Sequence, residues 1–109
     1  MENTLLEKLA IFYEEDPHDP FNLYALALEY QKYDATKAAG CFERLLGEFP
    51  AYLPTYYHAA QLFSAMGENE KAVQTFQRGI NLATEQGNIK TQVELLRALR
   101  SFEDEQMDE

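Results

Sequence analysis

The 109-residue chain has no tryptophan, one cysteine, four prolines and five glycines. A lone thiol, Cys41, cannot close an internal disulfide, which fits a reducing compartment. With 46% hydrophobic residues and so little Pro and Gly, a disordered or low-complexity chain is excluded. No apolar run reaches the roughly 18 residues that a membrane-spanning helix needs. The opening Met-Glu-Asn-Thr-Leu-Leu-Glu has no cationic start and no small-residue cleavage site, so it does not read as a secretory signal. A cytoplasmic location is therefore expected. The length suits one domain with a real core.

Positive charge is also scarce: nine Lys and Arg stand against 19 Asp and Glu, for a net charge of −10. Its placement is uneven. Residues 1–20 carry −5, residues 101–109 carry −5, and residues 21–100 balance to zero. Such acidic ends repel phosphate backbones and anionic lipid, so nucleic acid and membrane surfaces are poor partners.

The chemistry of catalysis is missing as well. The two histidines, His18 and His58, are 40 residues apart. His18 sits in an acidic, Pro-rich turn and reads as solvated; His58 lies between Tyr57 and Ala59 on a helix and reads as half-buried or beside a groove. There is no H-E-x-x-H, C-x-x-C, G-x-G-x-x-G or P-loop pattern, and no Cys-His or Ser-His spacing that suggests an activated nucleophile. Glu14, Glu15, Asp16 and Asp19 lack the spacing and central Gly of a calcium loop, and two prolines interrupt them. They read as helix-end acids. No enzyme activity, cofactor or metal is expected; a deep polar pocket near His58 would be the sign of one. Cys41, with Ala38 and Phe42 at helical spacing, reads as a core thiol.

What is present is an internal repeat. Lys37, Ala38, Phe42, Arg44 and Leu46 recur 34 residues later as Lys71, Ala72, Phe76, Arg78 and Ile80. Leu23, Tyr24, Leu26, Ala27 and Tyr30 recur 33 residues later as Tyr56, Tyr57, Ala59, Ala60 and Phe63. The offset changes at Tyr33-Asp34, where the first copy has one residue fewer than Met66-Gly67-Glu68 in the second. Each half copy has an apolar stripe at three- and four-residue spacing, hence a helix: Leu23, Leu26, Ala27 and Tyr30; Ala38, Cys41, Phe42, Leu45 and Leu46; Tyr56, Ala59, Ala60 and Phe63; Ala72, Val73, Phe76 and Ile80.

Boundary residues agree. Asp19-Pro20 places an N-cap acid before a Pro at the first helical position. Asp34 and Asn69 are expected caps of the second helix of each pair. Gly67 suits a turn with positive φ. Asp16-Pro17 and Phe49-Pro50 stop helices, because the residue before Pro is driven from the α region. Two flanking helices complete the pattern. Thr4-Leu-Leu-Glu7 reads as a capping box opening an apolar helix with Leu5, Leu6, Leu9, Ile11 and Phe12. The slot matching Pro17 and Pro50 holds Thr84, so that helix should run on to Gly87. Asn88 then caps a last helix, over about 88–102, with Ile89, Val93, Leu96, Leu99 and Phe102 expected to face inward. Residues 103–109 read as an acidic, disordered tail. The fold class is all-α, about six helices in antiparallel pairs, with one domain over 1–102 and repeats at about 20–50 and 53–84.

The second copy resembles the tetratricopeptide repeat, W-x2-L-G-x2-Y, then A-x3-F, A and P. Tyr56, Ala59, Ala60 and Phe63 fill the first group, Ala72, Phe76 and Gly79 the second, and Thr84 the Pro slot. The first copy offers Leu23, Leu26, Ala27, Tyr30, Ala38, Phe42, Leu45 and Pro50. The leading helix, with Leu5, Leu9 and Phe12 before Pro17, looks like the second helix of a lost or half repeat. Neither Trp slot holds Trp. The resemblance implies an α-solenoid that binds a peptide or partner protein as an adaptor, along a concave face lined by the first helix of each pair. The implied binding residues are Tyr24, Leu28, Gln31 and Lys32, with Tyr57, Gln61 and Ser64. Tyr24 and Tyr57 could equally pack between helices. Some family members grip a peptide C-terminal carboxylate with Lys, Asn and Arg from these first helices; here the corresponding faces carry Tyr24, Leu28, Tyr57 and Gln61 and only Lys32 offers a cation nearby, so that mode is not expected. The alternative is a self-associating module, a weak homodimer using the end helices or an apolar patch at Tyr52, Leu53 and Pro54.

Overall fold

In a computed structural model, which describes residues 4–107, the chain forms six α-helices. They are α1 Thr4–Glu15, α2 Pro20–Tyr30, α3 Ala35–Glu48, α4 Pro54–Ala65, α5 Asn69–Glu85 and α6 Ile89–Met107. The fold is an all-α array of helical repeats, as the periodicity predicts. The chain divides into two compact units, one up to Thr55 and one from Tyr56 on.

In the first unit, α1 ends before Pro17 and α3 before Pro50. Asp19 caps α2, its Oδ1 accepting from the Phe21 N–H at 3.0 Å with Pro20 in the first turn. Asp34 caps α3 by accepting from the Lys37 N–H at 3.1 Å. The shorter turn between α2 and α3 needs no glycine. The N–H groups of Tyr33 and Asp34 both return to the Tyr30 carbonyl, at 2.9 and 2.7 Å. The Asn22 amide donates to the carbonyls of Asp16 (3.1 Å) and Phe12 (3.4 Å), joining the end of α1 to α2. Leu23, Leu26 and Ala27 of α2 and Ala38, Phe42, Leu45 and Leu46 of α3 are buried.

In the second unit, α4 and α5 end in the same way. The Glu68 N–H bonds the Phe63 carbonyl and the Gly67 N–H that of Ser64. The Asn88 N–H bonds Ala83 and the Gly87 N–H bonds Thr84. These are Schellman closures, which need a left-handed residue past the helix end. Gly67 at φ 81° and Gly87 at φ 70° supply it. With Thr84 in place of proline, α5 continues to Glu85. The Thr84 hydroxyl donates to the Ile80 carbonyl at 2.8 Å and accepts from the Gln92 amide at 3.0 Å, linking α5 to α6. Asn88 caps α6 through the Thr91 N–H at 3.0 Å.

Three expectations differ from what is observed. Asn69 does not cap α5. The helix starts one residue earlier in register, Glu68 takes the cap position without a side-chain bond, and the Asn69 amide donates to Gln106 at 3.0 Å. The inward face of α6 is Leu95 and Phe102, not Ile89, Val93 and Leu96, which are exposed. The α6 helix also runs through residues 103–107 instead of fraying at 102. Phe102 against Phe76, with ring centroids 6.4 Å apart, and the Asn69–Gln106 bond hold that last turn on α5. Residues 108–109 of the expected tail lie outside the described residues.

The repeat extends to surface detail. Lys37 lies over the Tyr30 ring at 5.7 Å, and its counterpart Lys71 over the Phe63 ring at 4.8 Å. Arg44 covers Tyr13 at 5.7 Å, and its counterpart Arg78 covers Tyr56 at 5.6 Å. A long cationic stem laid across an aromatic face shields the core edge while its head stays wet.

Candidate interaction faces

In the first unit α2 carries Tyr24 and Leu28, and its C-cap residue Gln31, still helical in its backbone angles, continues the i, i+4, i+7 spacing that puts them on one face. All three are half-buried. The Tyr24 ring meets that of Tyr52 edge-on, centroids 5.6 Å apart and planes at 66°, the favoured aromatic geometry. Burial and then the neighbouring Tyr52 raise the Tyr24 phenol above its ordinary pKa of 10.0. Tyr24 is thus a ring braced by its neighbour. The spacing of the sequence could not reveal its partner, since Tyr52 lies in the connection after α3. In that connection Leu53 is buried, Tyr52 half-buried and Pro54 exposed, so the three do not form one exposed apolar patch.

Lys32 is not a free cation. Its Nζ donates to Glu29 Oε1 at 2.9 Å, with the Glu29 side chain only 6% exposed. That bond, and then the carboxylate charge, raise the Lys32 pKa. A buried carboxylate is tolerable only when paired, so Lys32 serves Glu29 first. Glu29 was not singled out by sequence, although the i, i+3 spacing to Lys32 carries the signal.

In the second unit α4 repeats the arrangement with Tyr57, Gln61 and Ser64, again at i, i+4, i+7. Tyr57 and Gln61 are exposed and Ser64 half-buried. Tyr57 is 39% exposed and touches His58 edge-on at 5.6 Å. Burial lowers the His58 pKa below its ordinary 6.5. The folded state therefore disfavours the imidazolium that the unfolded chain accepts freely. This contribution to stability is intact well above pH 6.5 and is lost as the pH falls through 6.5 toward the folded value. Urea unfolding should show a lower midpoint at about pH 5.5 than at about pH 7.5, a difference that His58→Gln reduces. An unchanged difference in that variant refutes the assignment.

One open groove, about 750 Å³, runs along the start of α5 and the end of α6, lined by Asn69, Val73, Phe102, Glu103 and Met107 among others. His58 does not line it. Among the described residues no group of three His, Cys, Asp or Glu could hold a metal ion, and no helix is long and apolar enough to cross a membrane. Cys41 is half-buried; burial raises its thiol pKa, with Arg44 pulling the other way. Burial thus disfavours the thiolate, the reactive form.

The solution structure of a tetratricopeptide repeat domain protein from Salinibacter ruber superposes with a TM-score of 0.77 at 40% identity, covering 82% of this chain and 91% of that one. A crystal structure of a tetratricopeptide repeat domain protein from the same organism gives a TM-score of 0.74 at 38% identity, covering 78% and 97%. The crystal structure of MamA shares the fold at 18% identity, with a TM-score of 0.65 over 95% of this chain and 70% of that one. No family model and no curated protein matches the sequence.

Proposed function

Because the chain belongs to the tetratricopeptide repeat family, we propose that it is a non-catalytic adaptor that binds a peptide or partner protein through the partly exposed faces of its first helices, α2 and α4. The observation that carries this reading is the repeated i, i+4, i+7 stripe: Tyr24, Leu28 and the C-cap Gln31 of α2, and Tyr57, Gln61 and Ser64 on α4. Each stripe leads with a tyrosine, the side chain that brings apolar area and a hydroxyl at low rotamer cost. The rest of each stripe is an apolar or uncharged polar side chain, suited to a backbone or side-chain amide. The carboxylate-gripping version is disfavoured, because Lys32 is held by Glu29. An unpaired thiol fits a reducing, cytoplasmic setting.

Affinity capture from native lysate with the wild type, Tyr24→Ala, Tyr57→Ala and the double variant tests the proposal. Each single change should weaken capture of a specific partner, and the double change should reduce it by about a hundredfold, as for loss of two interface anchors of roughly 1.5 kcal/mol each. Far-UV circular dichroism must stay at the wild-type level. Identical capture by wild type and double variant defeats the reading.

A further inference from the structure

The groove between the start of α5 and the end of α6 lies wholly within the second unit. From α6 it takes Arg100, Glu103, Asp104 and Met107, which follow i, i+3, i+4, i+7 and so share one side of that helix. From α5 it takes Glu70 and Val73. Its apolar lining is half-buried Val73, almost fully buried Phe102, and Met107, which is 83% exposed. Methionine is an adaptable apolar side chain that suits binding surfaces, and here it stands in solvent. Charge in the groove is one-sided. Three carboxylates, Glu70, Glu103 and Asp104, line it against one guanidinium, Arg100. No ion pair among the described residues neutralises the three. The neighbouring cations lie elsewhere. Lys71 sits over the Phe63 ring at 4.8 Å and reaches Glu68 at 4.0 Å, and Lys90 and Arg97, earlier on α6, are not part of the lining. Glu103, Asp104 and Glu105 also crowd the end of α6, whose last turn has no basic residue. A helix C-terminus is the negative pole of its dipole, where acids cost stability and cations add it. Acidic side chains therefore gather where positive charge is favoured twice over.

We propose that this groove docks a basic amphipathic helix of a partner protein. Its apolar side chains meet Val73, Phe102 and Met107, and its Lys or Arg side chains meet Glu70, Glu103 and Asp104. The carboxylates of α6 share a side of the helix with Met107, so one face of the incoming helix reaches both. From Arg100 to Met107 the groove runs for two helical turns, roughly 12 Å. Its volume of about 750 Å³ takes a few side chains of a partner and excludes a whole domain. A helix is favoured over an added strand, because the described residues form helices alone and offer no sheet edge to pair with. The acids steer the encounter and set the orientation, while the apolar contacts hold the complex. Exposed ion pairs contribute little each, so a dissociation constant on the order of 50 μM is expected. The groove is separate from the tyrosine stripes of α2 and α4, so this inference stands or falls apart from the adaptor reading.

Titration of the isotope-labelled chain with a synthetic peptide, followed through its backbone amide NMR signals, tests the proposal. The probe is a capped peptide of about 14 residues with leucine and lysine in helical alternation, long enough to fold on contact. Amide signals of residues 70–74 and 100–107 should shift and saturate, while those of α1, α2 and α3 stay in place. Glu103→Gln/Asp104→Asn and, separately, Met107→Ser should each weaken binding at least about fivefold. All three positions are exposed, so wild-type helicity is expected. Glu14→Gln/Glu15→Gln removes the same charge from α1 and should leave binding within about twofold. A leucine–glutamate peptide should not bind, and a serine–lysine peptide of equal charge should bind at least about tenfold more weakly. Absence of any shift, shifts spread equally over α1, groove variants that bind like the α1 control, or a serine–lysine peptide that binds as well each overturn the proposal. Shifts at the same amides on concentrating the chain alone would assign the groove to a second copy and overturn it too. Shifts centred on Tyr24 or Tyr57 would place the peptide on the first helices, overturning this inference while supporting the adaptor reading.

Discussion

Phe42→Ala is expected to destabilise the first unit by about 4 kcal/mol, the typical cost of removing a phenyl ring from a site that cannot collapse. Phe42 has no exposed surface and sits between Ala38 and Leu45, which have none either. The backbones of the packed helices α2 and α3 cannot close a ring-sized void. A domain of about a hundred residues holds only about 5–15 kcal/mol in total, so this one change removes a large share of it. The thermal midpoint should fall by roughly 20 °C. Phe49→Ala is the matched control. Phe49 closes the same helix but is only half-buried, and its loss should cost less than half as much. Urea unfolding followed by far-UV circular dichroism measures both. A cost for Phe42→Ala below about 1.5 kcal/mol would mean the ring is not a core member, since that is the range of volume-conserving swaps, which leave no cavity.

Two glycine-to-alanine changes on successive second helices should act with opposite sign. A Cβ added at Gly79 would lie 2.6 Å from Tyr56 Cβ and 3.0 Å from a Leu95 methyl. The methyl ends a flexible side chain and can rotate away. Tyr56 Cβ is fixed to the backbone of α4, so α4 and α5 must separate. Alanine gains about 1 kcal/mol of helix propensity over glycine, but overpacking of this kind costs more, and the net loss is expected near 2 kcal/mol. Gly40 on α3 is exposed and a Cβ there meets nothing within 4 Å. Gly40→Ala therefore keeps only the propensity gain and should stabilise by about 0.5–1 kcal/mol. Denaturant midpoints of the two variants decide the matter. If Gly79→Ala raises the midpoint as Gly40→Ala does, the close approach at Gly79 is wrong.

Gly79 also illustrates what a repeat pattern can carry. It fits the second half of the tetratricopeptide pattern, yet its counterpart in α3, Leu45, is a large buried residue. A glycine in that slot signals a contact tighter than elsewhere without saying with what. Tyr56, which fills the Trp slot of the pattern, provides the bulk on one side, and Leu95 fills the other. The tyrosine stripes show the same division. The positions of Tyr24 and Tyr57 follow from the repeat offset. That Tyr24 is braced by Tyr52 while Tyr57 stands exposed beside His58 depends on a connection and a neighbour that no periodicity encodes.

By itself the sequence determined the helices and most of their ends, though not the start of α5 or the end of α6. Those features depend on short-range chemistry: Asp19, Asp34 and Asn88 satisfy backbone donors within three residues, Gly67 and Gly87 accept positive φ, and prolines forbid continuation. Only the tertiary structure decided which face of α6 is dry. That helix carries two apolar stripes, Ile89–Val93–Leu96 and Leu95–Leu99–Phe102, of nearly equal hydrophobicity and period. Periodicity ranks neither above the other; the choice falls to whatever α5 presents. Phe76 offers a ring for Phe102, and Gly79 leaves room for Leu95. Burial is a property of pairs of surfaces, so half of that information lies on another helix, and the stripe left over is the one with a surface to spare.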